Sequence, residues 1–186
     1  MMRSLSQQRL AFTMQTILVS ILCPDRTGLV SAVTGLLFEL GANLGDASFA
    51  VLGGAAEFTA IVEIPDSVTP ETIAEEVKAL PEIGEGKVTV SPFKLPAVHG
   101  PSGKLTHYIR VTGGDSPGLI ARLSEVFVQY DANIIGLNAE RIPRAEGVQY
   151  LIRFAVWIPE ERAEACIATV VNTTEELRLT CHWQKV

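Results

Sequence analysis

The chain has 186 residues, of which 47% are hydrophobic, and a formal net charge of −6. That composition excludes a disordered chain, and its acidity leaves little of the basic surface that phosphate-backbone binding requires, so no direct nucleic-acid contact is expected. Cys23, Cys166 and Cys181 lie far apart with no Cys-x-x-Cys, and His99, His107 and His182 lack metal-ligand spacing, so a reducing cytoplasm is expected, with no disulfide framework, metal or cofactor.

Residues 1–15 read as a tail of low information. Arg3 and Arg9 ahead of Leu10–Leu22 faintly outline a signal peptide, but Gln15, Thr16 and Ser20 interrupt it and no small-residue cleavage site follows. No apolar run is long enough to span a bilayer. Thr16–Cys23 has the near-continuous apolar character of a central strand. Pro24–Thr27 is a loop, and a helix follows to about Leu40, with Leu29, Val33, Leu36, Leu37 and Leu40 on one face and Gly41 as its stop. Leu44–Leu52 and Ala55–Ile64 read as strands joined through Gly53-Gly54. Thr69-Pro70-Glu71 opens a second helix with Ile73, Val77 and Leu80 as its apolar stripe, and Lys87–Phe93 is a fourth strand.

Leu95–Lys104 carries Pro96, Gly100, Pro101, Ser102 and Gly103, and the stretch 96–104 reads as a linker between domains at 16–95 and 105–186. The order then repeats: strand Leu105–Thr112, helix Pro117–Tyr130, strands Asn133–Ile142 and Val148–Ile158, helix Pro159–Val171, strand Leu177–Trp183. At a fixed offset Asp25, Gly28, Leu29, Ala42 and Asn43 recur as Asp115, Gly118, Leu119, Ala132 and Asn133. A repeat of this length is a duplicated domain rather than a solenoid unit. The βαββαβ order with right-handed crossovers predicts an α+β fold of two tandem ferredoxin-like domains, each a four-stranded antiparallel sheet with two helices on one face.

The repeated loop sets unpaired helix amides beside Asp25 and a glycine, while Asn43 at the next strand offers both a donor and an acceptor. A free α-amino acid, with its ammonium and carboxylate, matches that chemistry. A structural alternative stands beside it. Asp25 and Asp115 would be helix caps, Gly28 and Gly118 would serve close packing, Asn43 and Asn133 would sit in left-handed turns, and Arg26 would be a solvated surface residue.

Asp-x-x-Gly-Leu after a first strand, an apolar helix and Ala-Asn-Leu/Ile entering the second strand resemble the ACT domain, a regulatory βαββαβ module, in both copies. The first copy has Thr27 where that family more commonly has proline. The resemblance implies that modules pair and bind a small amino acid at their interface. The implied ligand-binding residues are Asp25, Arg26, Gly28, Leu29 and Asn43, with Asp115, Gly118, Leu119 and Asn133 in the second copy. Two such modules alone resemble the glycine cleavage system transcriptional repressor family. That implies a non-enzymatic, homo-oligomeric regulator of amino-acid metabolism that acts through a protein partner such as a transcriptional regulator. Three other readings make different demands. A ligand-free module would need only protein contacts. An acylphosphatase-like hydrolase would use Arg26 with Asn43 on one phosphate. An RNA-binding sheet would need exposed aromatics and a basic face.

Overall fold

The computed structural model describes residues 14–114, 117–144 and 147–186, and the chain divides into two compact units, Met1–Ala97 and Val98–Val186. In the first, β1 (Met14–Pro24), α1 (Leu29–Glu39), β2 (Asn43–Leu52), β3 (Ala55–Pro65), α2 (Pro70–Ala79) and β4 (Lys87–Pro92) follow in sequence. They build an antiparallel sheet of order β2-β3-β1-β4. Alternation along β1 puts Ile17, Val19, Ile21 and Cys23 on the buried face. There they meet Leu29, Val33 and Leu37 of α1 and Ile73 and Val77 of α2 in one core. Both helices therefore cover the same side.

The second unit repeats this with β5 (His107–Gly114), α3 (Leu119–Gln129), β6 (Asn133–Arg144), β7 (Gly147–Trp157), α4 (Ala163–Glu176) and β8 (Thr180–Lys185), in sheet order β6-β7-β5-β8. Its core joins Ile109 and Val111 to Leu123, Phe127, Phe154 and Val170, with Phe127 and Phe154 edge-on at 5.3 Å. The tandem ferredoxin-like architecture read from the repeat is the one observed.

Several boundaries differ from the sequence reading. The first helix of the second unit begins at Leu119 rather than Pro117, and that of the first unit at Leu29, because Gly118 (φ 77°) and Gly28 (φ 92°) take a left-handed conformation as their N-caps. Pro159 leads into a 3₁₀ turn, Glu160–Arg162, and α4 then runs on to Glu176, so the last strand starts later. The stretch read as a linker contains a 3₁₀ turn at Pro101–Gly103.

Two glycines of the first unit give a test. A Cβ on Gly86 would lie 2.4 Å from the Cys23 Cβ and 2.9 Å from the Ile83 carbonyl oxygen, whereas one on Gly54 would meet nothing within 4 Å. Gly86→Ala is expected to destabilise the first unit by about 2 kcal/mol and Gly54→Ala to stay within about 0.5 kcal/mol, read from urea melts by circular dichroism.

His107 is 4% exposed, with Nδ1 2.9 Å from the Thr106 hydroxyl; burial, then Lys185, holds its pKa below the usual 6.5. Its folded form prefers the neutral ring, so the unfolded chain binds the extra proton. The stability it contributes is complete above pH 6.5 and is lost as pH falls from there through its folded pKa. The urea midpoint read from tryptophan fluorescence, where Trp183 lies 6.2 Å from the His107 ring, should fall over that window. His107→Gln should flatten the dependence.

Candidate functional site

The first expected site is a turn between β1 and α1. Its backbone is tied down by Asp25, whose N–H donates to the Gly54 carbonyl at 3.0 Å, so the turn leans on the β2–β3 hairpin. Left-handed Gly28 then swings the chain into α1, where Leu29 is buried and the first helical bond runs from the Ala32 N–H to the Gly28 carbonyl at 2.8 Å. No side chain caps α1, and its first turn carries no acid. Asp25 is therefore not a cap, and the structural alternative fails at this residue. The contrast with α2 is direct: there the Thr69 hydroxyl accepts from the Thr72 N–H at 3.2 Å, and Glu71 stands in the first turn. The Val30 and Ser31 N–H groups, which have no intrahelical acceptor, find no partner among the described residues. They carry the positive end of the helix dipole at an exposed turn.

Gly28 has open space where a Cβ would stand, as does Gly118. Packing does not demand either glycine; the positive φ does. Asp115 lies outside the described residues. Gly118 and Leu119 repeat the geometry of Gly28 and Leu29, again with no side-chain cap.

Arg26 is turned to a different use. Its Nη1 donates to the Pro81 carbonyl at 2.8 Å, and the guanidinium lies over the turn at Gly84, where a Cβ would meet Nη2 at 3.1 Å. It braces the β1–α1 turn against the α2–β4 turn.

Asn43 and Asn133 are the first residues of β2 and β6. The left-handed positions after the preceding helices belong instead to Gly41 (φ 74°) and Asp131 (φ 52°). Asn43 Nδ2 donates to Glu63 Oε2 at 3.0 Å, a cross-strand pair between β2 and β3. Glu63 escaped the sequence reading for a definite reason. Counting from the two-residue hairpin, where Leu52 faces Ala55, Asn43 would face Ile64; a bulge between Leu44 and Ala47 moves it to Glu63. Asn133 differs: its Nδ2 donates to the Ser102 carbonyl at 3.0 Å, and its register partner is Trp157.

The structure does not bring the expected residues together within a unit. Asn43 pairs with Glu63, which also pairs with Thr16, whereas Asp25 follows Pro24 at the other end of β1. Eight strand residues separate the two levels, about 26 Å at 3.3 Å per residue. The cause is the crossover: α1 runs back along the sheet, so β2 starts where β1 started. The second unit separates Gly118 from Asn133 in the same way. Arg26 and Asn43 therefore cannot serve one phosphate within a unit, and the acylphosphatase-like arrangement is not formed.

The surface around β2 is apolar and open. β2 is an edge strand with Leu44, Phe49, Val51 and Leu52 all exposed, and the neighbouring α1 exposes Val30 and Phe38, the latter at 81%. All three cysteines are free, and burial pushes the Cys166 thiol up to about 11. Among the described residues no group of three or more His, Cys, Asp and Glu could hold a metal ion, and no helix is long and apolar enough to cross a membrane.

Arg26→Ala removes the one brace between the two turns that the guanidinium supplies. It is expected to cost the first unit about 1 kcal/mol in urea denaturation, the net worth of an exposed hydrogen bond from a charged group.

Comparison with known proteins agrees with this architecture. Residues 17–82 match the model of the ACT domain. A crystal structure of a protein of unknown function from Galdieria sulphuraria aligns over 94% of this chain and 99% of its own, with 20% identity and a TM-score of 0.71. A crystal structure of a protein named provisionally as a glycine cleavage system transcriptional repressor aligns over 93% and 98%, with 18% identity and a TM-score of 0.60. At these identities the likeness is one of fold: the chain has a two-domain ACT-like fold.

Proposed function

We propose that the protein is a non-enzymatic cytoplasmic sensor that binds a small amino acid, with glycine and serine the first candidates, and passes the signal to a protein partner. The site is bipartite. One half is the β1–α1 turn of the first unit, where the Val30 and Ser31 amides take the ligand carboxylate and Asp25 stands beside them. The other half is the Asn43–Glu63 pair, contributed by a second copy of the chain. Glu63 and Asp25 supply acceptors for the ammonium, and the Asn43 carbonyl oxygen supplies one more.

The observation that carries this reading is the separation of the two halves along one exposed edge. If β2 pairs edge to edge with β2 of a second copy in the antiparallel sense, the start of one strand lies beside the end of the other. The end of β2 is also where Asp25 is tied, through the Gly54 carbonyl. An unpaired edge strand with exposed apolar side chains invites such pairing, which would also cover Phe38 and Val30. The first unit is favoured over the second because Asn43 stands beside a carboxylate, Glu63, whereas Asn133 faces Trp157 and donates to the Ser102 carbonyl.

Binding is read by thermal shift against the twenty amino acids. A ligand at about 100 times its Kd should add about 2.7 kcal/mol, a rise in Tm on the order of 5–10 °C. Asp25→Ala and Asn43→Ala should each abolish the shift while leaving the unliganded melt nearly unchanged. Mixing the two variants in equal amounts should restore about a quarter of the parent's binding stoichiometry, because about half of the dimers are then mixed and each mixed dimer has one of its two shared sites with both halves intact. No shift with any amino acid would leave a protein-contact module, and a shift without restoration on mixing would place the site within one chain.

A further inference from the structure

The open face of the second unit's sheet carries a straight row of residues across all four strands. Asn138 faces Arg153, Arg153 faces Arg110, and Arg110 faces His182. The matching row in the first unit is Ser48, Thr59, Ser20 and Thr89, in the same register. The same sheet thus folds with four hydroxyls where its duplicate holds two guanidiniums and an imidazole. Folding does not ask for these cations. Like charges directly opposite each other on neighbouring strands are unfavourable, so the row works against the isolated sheet.

The three basic side chains are not equivalent. Arg153 is held by Asn138, whose Oδ1 accepts from Nη1 at 2.8 Å, and by an ion pair from the same nitrogen to Glu140. That fixes the guanidinium and leaves its other nitrogens free to donate. Arg110 and His182 are exposed and make no hydrogen bond or ion pair among the described residues. Adjacent strands place successive members about 5 Å apart. Tyr108 and Gln184 flank the row on one side, and Thr112 and Thr180 on the other.

We propose that this face binds a phosphate group, as the free ion or as the monoester of a small molecule, between Arg110 and Arg153 with His182 at the rim. A carboxylate offers two oxygens in a plane, which one guanidinium satisfies. A tetrahedral anion has oxygens left for donors on a second and third side, as two arginines and an imidazole in line provide. The site is separate from the amino-acid site of the first unit and does not depend on it.

The test is a titration of the full chain with inorganic phosphate at constant pH and ionic strength, following the imidazole resonances. The His182 signal should shift and saturate while those of His99 and His107 stay in place. Arg110→Gln and Arg153→Gln should each weaken the response about tenfold, the loss of one charge-assisted hydrogen bond, with acetate weaker than phosphate throughout. Glycerol phosphate saturating as readily as the free ion identifies a monoester site, and failure of the ester to compete identifies a site for the ion alone. The proposal falls if the His182 response does not saturate, if both glutamine variants respond like the parent, or if a short single-stranded oligonucleotide saturates the face while phosphate does not. Far-UV circular dichroism of each variant confirms that the fold is kept; either arginine alone carries the test.

Discussion

The direction of the first crossover fixes what each unit can do by itself. A helix packed on the sheet must run back along it before the next strand begins, so the turn after β1 and the first residue of β2 lie at opposite ends of the same strands. Asp25 and Asn43, eighteen positions apart in sequence, are held about 26 Å apart by the eight strand residues between their levels. No side-chain rearrangement closes that gap. A duplicated motif that reads as one constellation in sequence is therefore two separate groups of residues in space. The constraint is topological, and it follows from the same pairing that forms the core.

Much of the fold was legible because its signals are local. The alternation along β1 and β3, the 3.6-residue stripe of Leu29, Val33 and Leu37, and the Thr69-Pro70-Glu71 helix start each act within a few residues. What was not legible depends on how distant segments are placed. The bulge that turns Asn43 from Ile64 to Glu63 is one residue of slippage, invisible in hydrophobic pattern because both strands keep their alternation on either side. The Pro81 carbonyl that receives Arg26 belongs to a turn fifty-five residues away. The left-handed caps could have been anticipated: a conserved spacing of glycine directly before an apolar helix within one chain, at Gly28 and again at Gly118, is the pattern a positive φ leaves.

The two units show which features the shared fold demands and which each copy has changed. Both keep the left-handed glycine cap, the bulge early in the second strand and an asparagine at that strand's start. The residue after the first helix differs: Gly41 takes its positive φ without steric cost, while Asp131 takes it as a non-glycine and pairs with Arg162 from the turn before α4. The asparagines then part company, one meeting a carboxylate across the strand and the other a backbone carbonyl. The open sheet faces diverge further still, hydroxyls in one and cations in the other. Buried positions set by packing are retained, and exposed positions on the same strands are free to carry new chemistry.

The uncapped helix ends are the feature least explained by stability. A serine, asparagine or aspartate at the cap position is worth roughly a few tenths of a kcal/mol over glycine, and α2 shows that this chain uses a side-chain cap where nothing else is needed. At α1 glycine occupies the cap instead, no acid stands in the first turn, and Asp25 two residues before Thr27 does not reach back to cap it. The Val30 and Ser31 amides consequently meet solvent at an exposed turn beside an open apolar edge. A capping side chain would fill the space in front of these amides, so the stability forgone at this turn and the access left to them have one cause, the glycine at the cap.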